Sequence, residues 1–399
     1  MAAALRGLGY LLIGVAAVLV LIIAAVVVLT RTDFGVERAG GFALDQLRGE
    51  VDGQLEVGRV QSRGLLRGVT LHDVVIREHD GRPFLLADSA RLTYRLRTLL
   101  AGDIAFNRLL LHSPTIYVER LPGQEEWNYD RLFRGDQPSE PDTLPPTRLV
   151  LIEDVTIRDG VVVVRRPWEP EGPVEPEDTA RIILESTPSG LVQTWRFEAL
   201  DARVPRIVWE APGEEGRIID IRQLATRAYV WREPAEVRDV EGTVMIRDSL
   251  VSFEAPMVRL PRSEVSAVGR VIMGDDMRYD VEFTSDDVAF ADLQWVHPRM
   301  PADGGGAIRF RIQTQDSGDL LWLARDARVR TGGSELEGSF GIVTGDTLHF
   351  TNVDLRASPL DVELLRRLLP TDLPIEGLLI GTVEVDGPVS AADRRRAPR

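Results

Sequence analysis

Residues 308–313 have the sequence Ile-Arg-Phe-Arg-Ile-Gln, a strict alternation of apolar and polar side chains. Successive side chains point to opposite faces of a β-strand, so this stretch predicts a strand with one dry and one wet face. Such one-sided strands are typical of antiparallel sheets, whereas parallel sheets show continuous apolar runs joined by helices. The sequence therefore predicts a mainly β protein with a mostly antiparallel sheet. The alternation recurs in four further stretches bounded by turn residues: residues 55–60, 116–119, 251–254 and 383–386.

A hairpin unit occurs twice near the beginning of this β region. Residues 63–94 predict a strand, a turn at Asp80-Gly81 and a returning strand. Residues 149–165 repeat its core, apolar-x-Asp-Val-x-Ile-Arg, with a turn expected at Asp159-Gly160. Residues 134–147 between the two units are rich in Pro, Asp and Glu, which is typical of a linker or a long loop.

A second repeated segment consists of a short helix, two prolines and a glycine, followed by a strand. The helices are predicted at residues 287–296 and 361–369, each with an Asp at its start, where a carboxylate accepts free N–H groups. Proline then ends each helix. Repetition of this kind indicates a growing array of strands rather than a closed globule.

The N-terminal segment is the longest apolar run. Residues 7–30 contain no charged side chain and are long enough to cross a hydrocarbon core of about 30 Å. The run is too long for a secretory signal and lacks a small-x-small cleavage site. We expect an uncleaved membrane anchor with its N-terminus in the cytoplasm and the bulk of the chain outside it; a buried core helix is the alternative.

Composition excludes several classes of function. The 399 residues include no cysteine, so neither disulfides nor thiolate metal sites nor Cys nucleophiles are available. All 47 basic residues are arginine, which excludes Schiff bases and phosphate-binding lysines. The net charge of −15 argues against nucleic acid as a partner.

No catalytic or metal-binding motif is present, and we predict neither an enzyme nor a cofactor nor a metal site. The chain has no nucleophile elbow, P-loop or dinucleotide fingerprint, and its five histidines do not show ligand spacing. His72 and His79 flank a strand and its turn, each beside an Asp. Alternating solvent-facing polar side chains explain these four residues better than a metal site does.

The dry face of a one-sided sheet must be covered by a second sheet, a helix layer or a ligand. Long helices are scarce, so the sequence leaves two alternatives open: a closed β-sandwich, or an open groove that binds acyl chains by hydrophobic burial. The candidate groove residues are apolar side chains of two predicted strands: Phe310, Ile312, Phe350, Val353 and Leu355.

The seven tryptophans also fit either arrangement, since a large aromatic residue can line an open groove or pack in the core of a closed sandwich. Trp168 lies in a Pro- and Glu-rich segment, residues 167–178, that predicts a surface hairpin loop, and of the seven it is the one expected to be exposed.

Several sequence features, taken in their order along the chain, resemble the N-terminal part of the AsmA/TamB superfamily. They are the membrane anchor, the unit at residues 62–74, the phrase at residues 111–116, the Trp127-Asn128 pair and the repeated helix-Pro-Pro-Gly-strand segments. The resemblance covers roughly residues 1–390. It implies a single-pass protein of the bacterial inner membrane with its bulk in the periplasm. It also implies an elongated, repetitive β-sheet that curls into an open groove, a β-taco, with short helices.

The same resemblance implies a function and a division of the chain. It implies that the protein binds phospholipids by their acyl chains and supports their transport between the inner and outer membranes. The alternative is a structural factor in outer-membrane protein assembly or envelope biogenesis that acts through protein contacts. The expected parts are an anchor (1–31), an AsmA-like N-terminal β region (32–133), a linker (134–147), a repetitive β-groove region (148–390) and a basic tail (391–399).

Overall fold

The structure is a computed structural model, and it describes nine segments of the chain. They are residues 53–62, 68–94, 104–132, 150–169, 176–210, 216–273, 277–345, 348–364 and 377–388. The expected anchor, linker and basic tail lie outside these segments. Within them, no helix has the length and apolar character needed to cross a membrane.

The described part of the chain is mainly β, which confirms the fold class predicted from the alternation, and its helices are few and short. Contacts divide the chain into two compact units, Met1–Val237 and Arg238–Arg399. This division does not fall at residues 134–147, because strands on both sides of that segment pair with each other in the first unit.

Eleven strands and two short helices of the first unit are described. The strands are β1 (Gly53–Ser62), β2 (Val69–Glu78), β3 (Pro83–Tyr94), β4 (Ile104–His112), β5 (Thr115–Glu119), β6 (Val150–Pro167), β7 (Leu184–Thr187), β8 (Gly190–Glu210), β9 (Arg217–Ile221), β10 (Gln223–Tyr229) and β11 (Ala235–Val237). The helices are α1 (Asn128–Leu132) and α2 (Pro176–Arg181).

The sheet of the first unit is mixed. Strands β1, β2 and β3 are antiparallel neighbours, and β3 pairs with both β4 and β5. Strands β4 and β5 then pair in parallel with β6, which pairs antiparallel with β8. The other edge of β8 pairs with β7, β9 and β10. Most pairs are thus antiparallel, as predicted, and β6 makes the two parallel ones.

The turn predicted at Asp159-Gly160 is wrong, because β6 continues through it as a single strand of 18 residues. Asp159 has a φ of 52°, a left-handed conformation that Asp tolerates better than most residues. The irregularity is absorbed as a shift of register against β8, and residues 161–165 continue to pair with β5. The shared Asp of the two hairpin units behaves similarly, with φ values of 53° at Asp73 and 47° at Asp154.

Nine strands and a 3-10 helix are described in the second unit. They are β12 (Asp239–Arg247), β13 (Leu250–Arg259), β14 (Glu264–Ile272), β15 (Arg278–Ala289), the 3-10 helix (Phe290–Leu293), β16 (Gly305–Thr314), β17 (Leu320–Thr331), β18 (Ser334–Thr344), β19 (Leu348–Asp361) and β20 (Leu378–Pro388). From β12 to β20, each strand pairs antiparallel with the next one in the chain.

The predicted helix at residues 287–296 is largely wrong. Strand β15 extends to Ala289 because Val288 still pairs with Gly306 of β16, and only the 3-10 turn Phe290–Leu293 follows. In the second predicted helix, residues 362–364 are helical and the remainder lies outside the described residues. There Asp361 caps the start as expected, since its Oδ1 accepts the Glu363 N–H at 3.0 Å.

The two helical connections are nonetheless structural repeats about 72 residues apart. The N–H of Phe290 donates to the Gly304 carbonyl at 3.0 Å, and the N–H of Val362 donates to the Gly377 carbonyl at 3.0 Å. Both glycines have left-handed φ values, 107° and 115°.

The strands that precede these connections repeat as well. The bulge between Ser285 and Val288 in β15 has its counterpart between Ala357 and Leu360 in β19. Each strand end is held by a serine hydroxyl of a neighbouring turn or strand: the Ala289 N–H donates to Ser263 Oγ at 2.8 Å, and the Asp361 N–H donates to Ser334 Oγ at 2.9 Å. Four strands and one helical connection thus form the repeating module of the second unit.

Candidate functional site

One face of the second unit is apolar across consecutive strands. Residues paired directly across antiparallel strands share a face. One row of such pairs follows the register from β15 to β19 through Val281, Ile312, Trp322, Ile342 and Phe350. A parallel row runs through Phe283, Phe310, Ala324 and Phe340. We call the surface that these two rows form, with its continuation on β19 and β20, the apolar face.

All five candidate groove residues lie on the apolar face. Phe310 and Ile312 belong to the rows directly. Phe350 and Val353 are three residues apart and would lie on opposite faces of a regular strand, but a bulge separates them. They pair with Gly387 and Val385, which are two residues apart in β20 and so share a face. Leu355 pairs with Val383 on the same side.

Burial divides these residues into two groups. The side chains of Ile312 and Val353 are only 3% and 8% exposed, so they are held mainly by their neighbours in the sheet. Phe310, Phe350 and Leu355 are half-buried. Accessible hydrophobic area on this face is therefore carried by the larger side chains.

Two further aromatic side chains complete the accessible surface. Trp322 and Phe340 are also half-buried, and the ring centroids of Phe310 and Trp322 lie 6.4 Å apart, those of Phe340 and Phe350 5.9 Å. The sequence argument placed Trp322 among the possible lining residues but missed Phe340. The signal for Phe340 was its spacing of two from Ile342 within a Gly-rich stretch.

The opposite face of the same strands carries ion pairs. Arg311 Nη2 lies 2.8 Å from Asp280 Oδ1, Arg330 Nη2 lies 2.8 Å from Glu335 Oε1, and Arg328 pairs with Glu337. Exposed pairs of this kind contribute little stability each. The same face also contains Leu323, which lies opposite Arg311 and is 1% exposed, and we call it the charged face for its ion pairs.

The first unit contains a buried ionic cluster at the ends of β2, β5 and β6. Glu119, only 3% exposed, accepts a hydrogen bond from Arg165 Nη1 at 2.8 Å and lies 3.6 Å from Arg82 Nη1. Glu78, 5% exposed, pairs with Arg82 and Arg131. Burial raises the pKa of the Glu119 carboxyl even though both facing arginines favour its ionised form.

The Trp127-Asn128 pair of the sequence analysis attaches helix α1 to this cluster. Asn128 is fully buried; its Oδ1 accepts the Glu119 N–H at 2.9 Å, and its Nδ2 donates to the Tyr117 carbonyl at 2.7 Å. Arg120 lies over the Trp127 ring at 5.6 Å from its centroid. These contacts hold a connection against the sheet, and they assign the pair a structural position rather than a reactive one.

Trp168 is half-buried rather than exposed, because its backbone N–H donates to the Leu191 carbonyl and keeps the segment beside β8. Trp195 and Trp231 are buried, with Arg166 and Arg181 stacked over their rings. They belong to the core of the first unit and not to an accessible face.

The two His-Asp pairs of the sequence analysis, at residues 72–73 and 79–80, lie at different places on β2 and its turn. His72 Nε2 lies 3.2 Å from Gln61 Oε1, whereas Asp80 is bound by Arg82 beyond the other end of β2. Burial opposes ionisation of Asp80, but hydrogen bonds from the Arg82 backbone and guanidinium outweigh it and lower its pKa. In the segments that the structure describes, no group of three His, Asp or Glu residues is arranged to hold a metal ion.

The apolar face is thus the feature most able to bind another molecule, and comparison with known proteins does not name its ligand. The chain matches no family model, no curated protein sequence and no solved structure.

Proposed function

We propose that the apolar face of the second unit binds the acyl chains of phospholipids. On this proposal the protein is anchored in the bacterial inner membrane by residues 7–30 and supports phospholipid transport between the inner and outer membranes. The observation that carries the proposal is the half-buried state of Phe310, Trp322, Phe340 and Phe350, which form one surface across β16 to β19.

A closed sandwich is the competing explanation, and burial argues against it for this face. Aromatic side chains enclosed by a second layer lose nearly all their accessible surface, as Phe84, Phe106 and Trp195 do in the first unit, each 0% exposed. Four large aromatic residues of the second unit keep part of theirs. A hydrocarbon chain laid on this surface would gain about 0.8 kcal/mol for each CH₂ group removed from water.

The physical demands of such binding fit the arrangement of the two faces. The apolar face offers no ionised group of its own that a hydrocarbon chain would have to desolvate, since the arginines and carboxylates of these strands point to the charged face. Binding by burial alone needs no catalytic residue, cofactor or metal.

Photocrosslinking tests the proposal without placing a charge in the sheet. The full chain, reconstituted in vesicles of phosphatidylethanolamine and phosphatidylglycerol, would carry p-benzoylphenylalanine in place of Phe310, Phe340 or Phe350. This analogue keeps the aromatic ring, so the variants should fold. We expect phospholipid adducts at all three positions, detected by mass spectrometry.

The matched control carries the same analogue at Arg325, an exposed residue of the charged face on β17. It should give few or no lipid adducts. Equal adducts at Arg325 would show general adsorption to the vesicle, and the absence of adducts at all three aromatic positions would contradict the proposal. Adducts to protein instead of lipid would favour the assembly factor that acts through protein contacts.

These positions are better for the test than Ile312 and Arg311, two neighbouring residues of β16 on opposite faces of the sheet. Ile312 is nearly fully buried, so Ile312→Asp would destabilise the sheet itself. Arg311→Asp would place a second carboxylate beside Asp280, now 2.8 Å from the Arg311 guanidinium, and would not be silent.

A further inference from the structure

The aromatic side chains of the apolar face form two ridges. Phe310 of β16 lies opposite Ala324 of β17, so Trp322, two residues from Ala324, is its diagonal neighbour. The two ring centroids lie 6.4 Å apart. Diagonal neighbours on one face of an antiparallel pair are within reach of aromatic side chains. We call Phe310 and Trp322 the first ridge.

The second ridge repeats this arrangement two strands further along the sheet. Phe340 of β18 and Phe350 of β19 have ring centroids 5.9 Å apart. Phe350 lies opposite Ile342, which is two residues from Phe340, so this pair is diagonal as well. Both ridges therefore run in the same direction across the apolar face.

A trough lies between the two ridges. Its floor consists of Ala324 on β17 and Ile342 on β18, which are diagonal neighbours of each other and are both half-buried. Ala324 carries only a methyl group and lies directly between Phe310 and Phe340 in its row. Side chains stand roughly perpendicular to a sheet, so the two ridges are separated by two strand spacings, about 9.6 Å.

The width of the trough admits a single hydrocarbon chain. One chain between two walls needs two carbon–carbon contacts, together about 7–8 Å, whereas two chains side by side need three, about 10.5–12 Å. Only the first arrangement is possible within about 9.6 Å. The six side chains of the floor and the ridges include no ionisable group, so a charged part of a ligand would find no partner among them.

We propose that the trough over Ala324 and Ile342 holds one straight acyl chain between the two ridges, and that its width excludes methyl-branched chains. This inference rests on the proposed binding of acyl chains by the apolar face, and it states where a chain lies and which form of chain binds. Ala324 is then a specificity-determining residue, because a larger side chain at this position would occupy the space of the chain.

Filling the trough tests its role in binding. The full chain, with p-benzoylphenylalanine in place of Phe350 as the reporter, is reconstituted in vesicles of phosphatidylethanolamine and phosphatidylglycerol with straight saturated chains. Adding Ala324→Phe should reduce the lipid adducts at least about tenfold, the effect of losing the burial of about two CH₂ groups. Phenylalanine favours β-strands, so the sheet should be retained, and circular dichroism measures this.

The matched control is Ala307→Phe. Ala307 is a half-buried alanine of β16 on the charged face, opposite Arg328, and the same substitution there should leave the adducts at the reporter unchanged.

A change of lipid tests the width without altering the protein. Vesicles of the same two headgroups with methyl-branched phytanoyl chains should give at least about tenfold fewer adducts at the reporter than straight-chain vesicles. Phe340→Ala removes part of the second ridge and widens the trough. This variant should therefore give similar adducts with straight and branched chains.

The outcomes separate this proposal from the proposed function. Straight-chain adducts that persist in Ala324→Phe, an equal loss in Ala307→Phe, or equal adducts from straight and branched lipids would overturn the trough and leave acyl-chain binding by the apolar face intact. No lipid adduct at the reporter with either kind of vesicle, together with none at Phe310 and Phe340, would overturn both.

Discussion

The two units contain similar alternating strands but pack their aromatic residues differently. In the first unit Phe84, Phe106 and Trp195 are completely buried, whereas Phe310 and Trp322 of the second unit are half-buried. The first unit also encloses charged groups, such as Glu78 and Glu119, and the second unit leaves its ion pairs on an exposed face. The same local sequence pattern thus supports a closed core in one unit and an accessible apolar surface in the other.

The connections account for part of this difference. In the first unit, helix α1 is held by the buried Asn128 and places Leu132, 1% exposed, beside Gly53 of β1. A side chain at Gly53 would collide with the Leu132 side chain, so helix and strand are in direct contact. In the second unit, the 3-10 helix buries Phe290 and Asp292 at the strand ends. The middle of the apolar face is left accessible.

The largest expected effect is the difference in stability loss between Trp195→Ala in the first unit and Trp322→Ala in the second. Trp195→Ala should lower the free energy of unfolding of the first unit by about 3–5 kcal/mol, because it removes a fully buried ring and leaves a cavity. Trp322→Ala should cost only about 1–2 kcal/mol in the second unit, since that ring is half-buried and keeps part of its surface in contact with water. Urea unfolding of both variants measures the difference. Equal losses would mean that the apolar face is as enclosed as the first core.

An intermediate effect is expected when the stability losses of Asn128→Ala and Asn352→Ala are compared. Asn128→Ala should destabilise the first unit by about 2–4 kcal/mol, because it leaves the Glu119 N–H and the Tyr117 carbonyl buried without their partner. Asn352→Ala should cost about 1 kcal/mol, because that exposed residue contributes mainly its tolerance of a φ of 54° in the β19 bulge. Thermal or urea unfolding would show the ranking, and an Asn352 effect as large as that of Asn128 would contradict it.

The smallest expected effect is a pH dependence confined to the first unit. Because the pKa of Glu119 is raised by burial, the folded protein retains this proton at pH values where the unfolded chain has lost it. Its contribution to stability is present below the usual carboxyl range and is lost as the pH rises through the folded pKa. The difference in unfolding free energy between the wild type and Glu119→Gln should therefore fall as the pH rises from the usual carboxyl range through the raised pKa of Glu119.

The lowered pKa of Asp80 has the opposite sign and serves as an internal comparison. Its contribution to stability is present above its usual pKa and is lost as the pH falls. Asp80→Asn should therefore reduce stability at neutral pH more than at acidic pH. A Glu119→Gln difference that rises with pH would contradict the assignment of burial as the dominant cause at Glu119.

Period-2 alternation was sufficient to predict the strand content, because it records which side of each strand is dry. It placed residues 308–313 within β16 and residues 383–386 within β20. It did not predict the parallel pairing of β4 with β6, since the partners are about 46 residues apart and nothing local encodes their contact. The bulge at Asp159 was mistaken for a turn because Asp-Gly is typical of both.

The candidate site, too, could be predicted from the sequence only where local spacing determines which residues share a face. Phe310 and Ile312 share a face by spacing alone, but Phe350 and Val353 do so only because Asn352 adopts a left-handed conformation in a bulge. The ionic cluster of Glu78, Glu119 and Arg165 joins three strands through long-range pairing, so no short motif could have revealed it.

Because the second unit repeats a module of about 72 residues, the width of its sheet can increase by whole modules. Each strand there is hydrogen-bonded to its neighbours in the chain. An in-frame duplication of residues 290–361 would therefore insert four strands that pair in the same way as the existing ones. At about 4.8 Å for each strand, one such duplication would widen the sheet by about 19 Å. Gene duplication could therefore change the span of this protein in fixed increments while leaving the folding of each hairpin a local event.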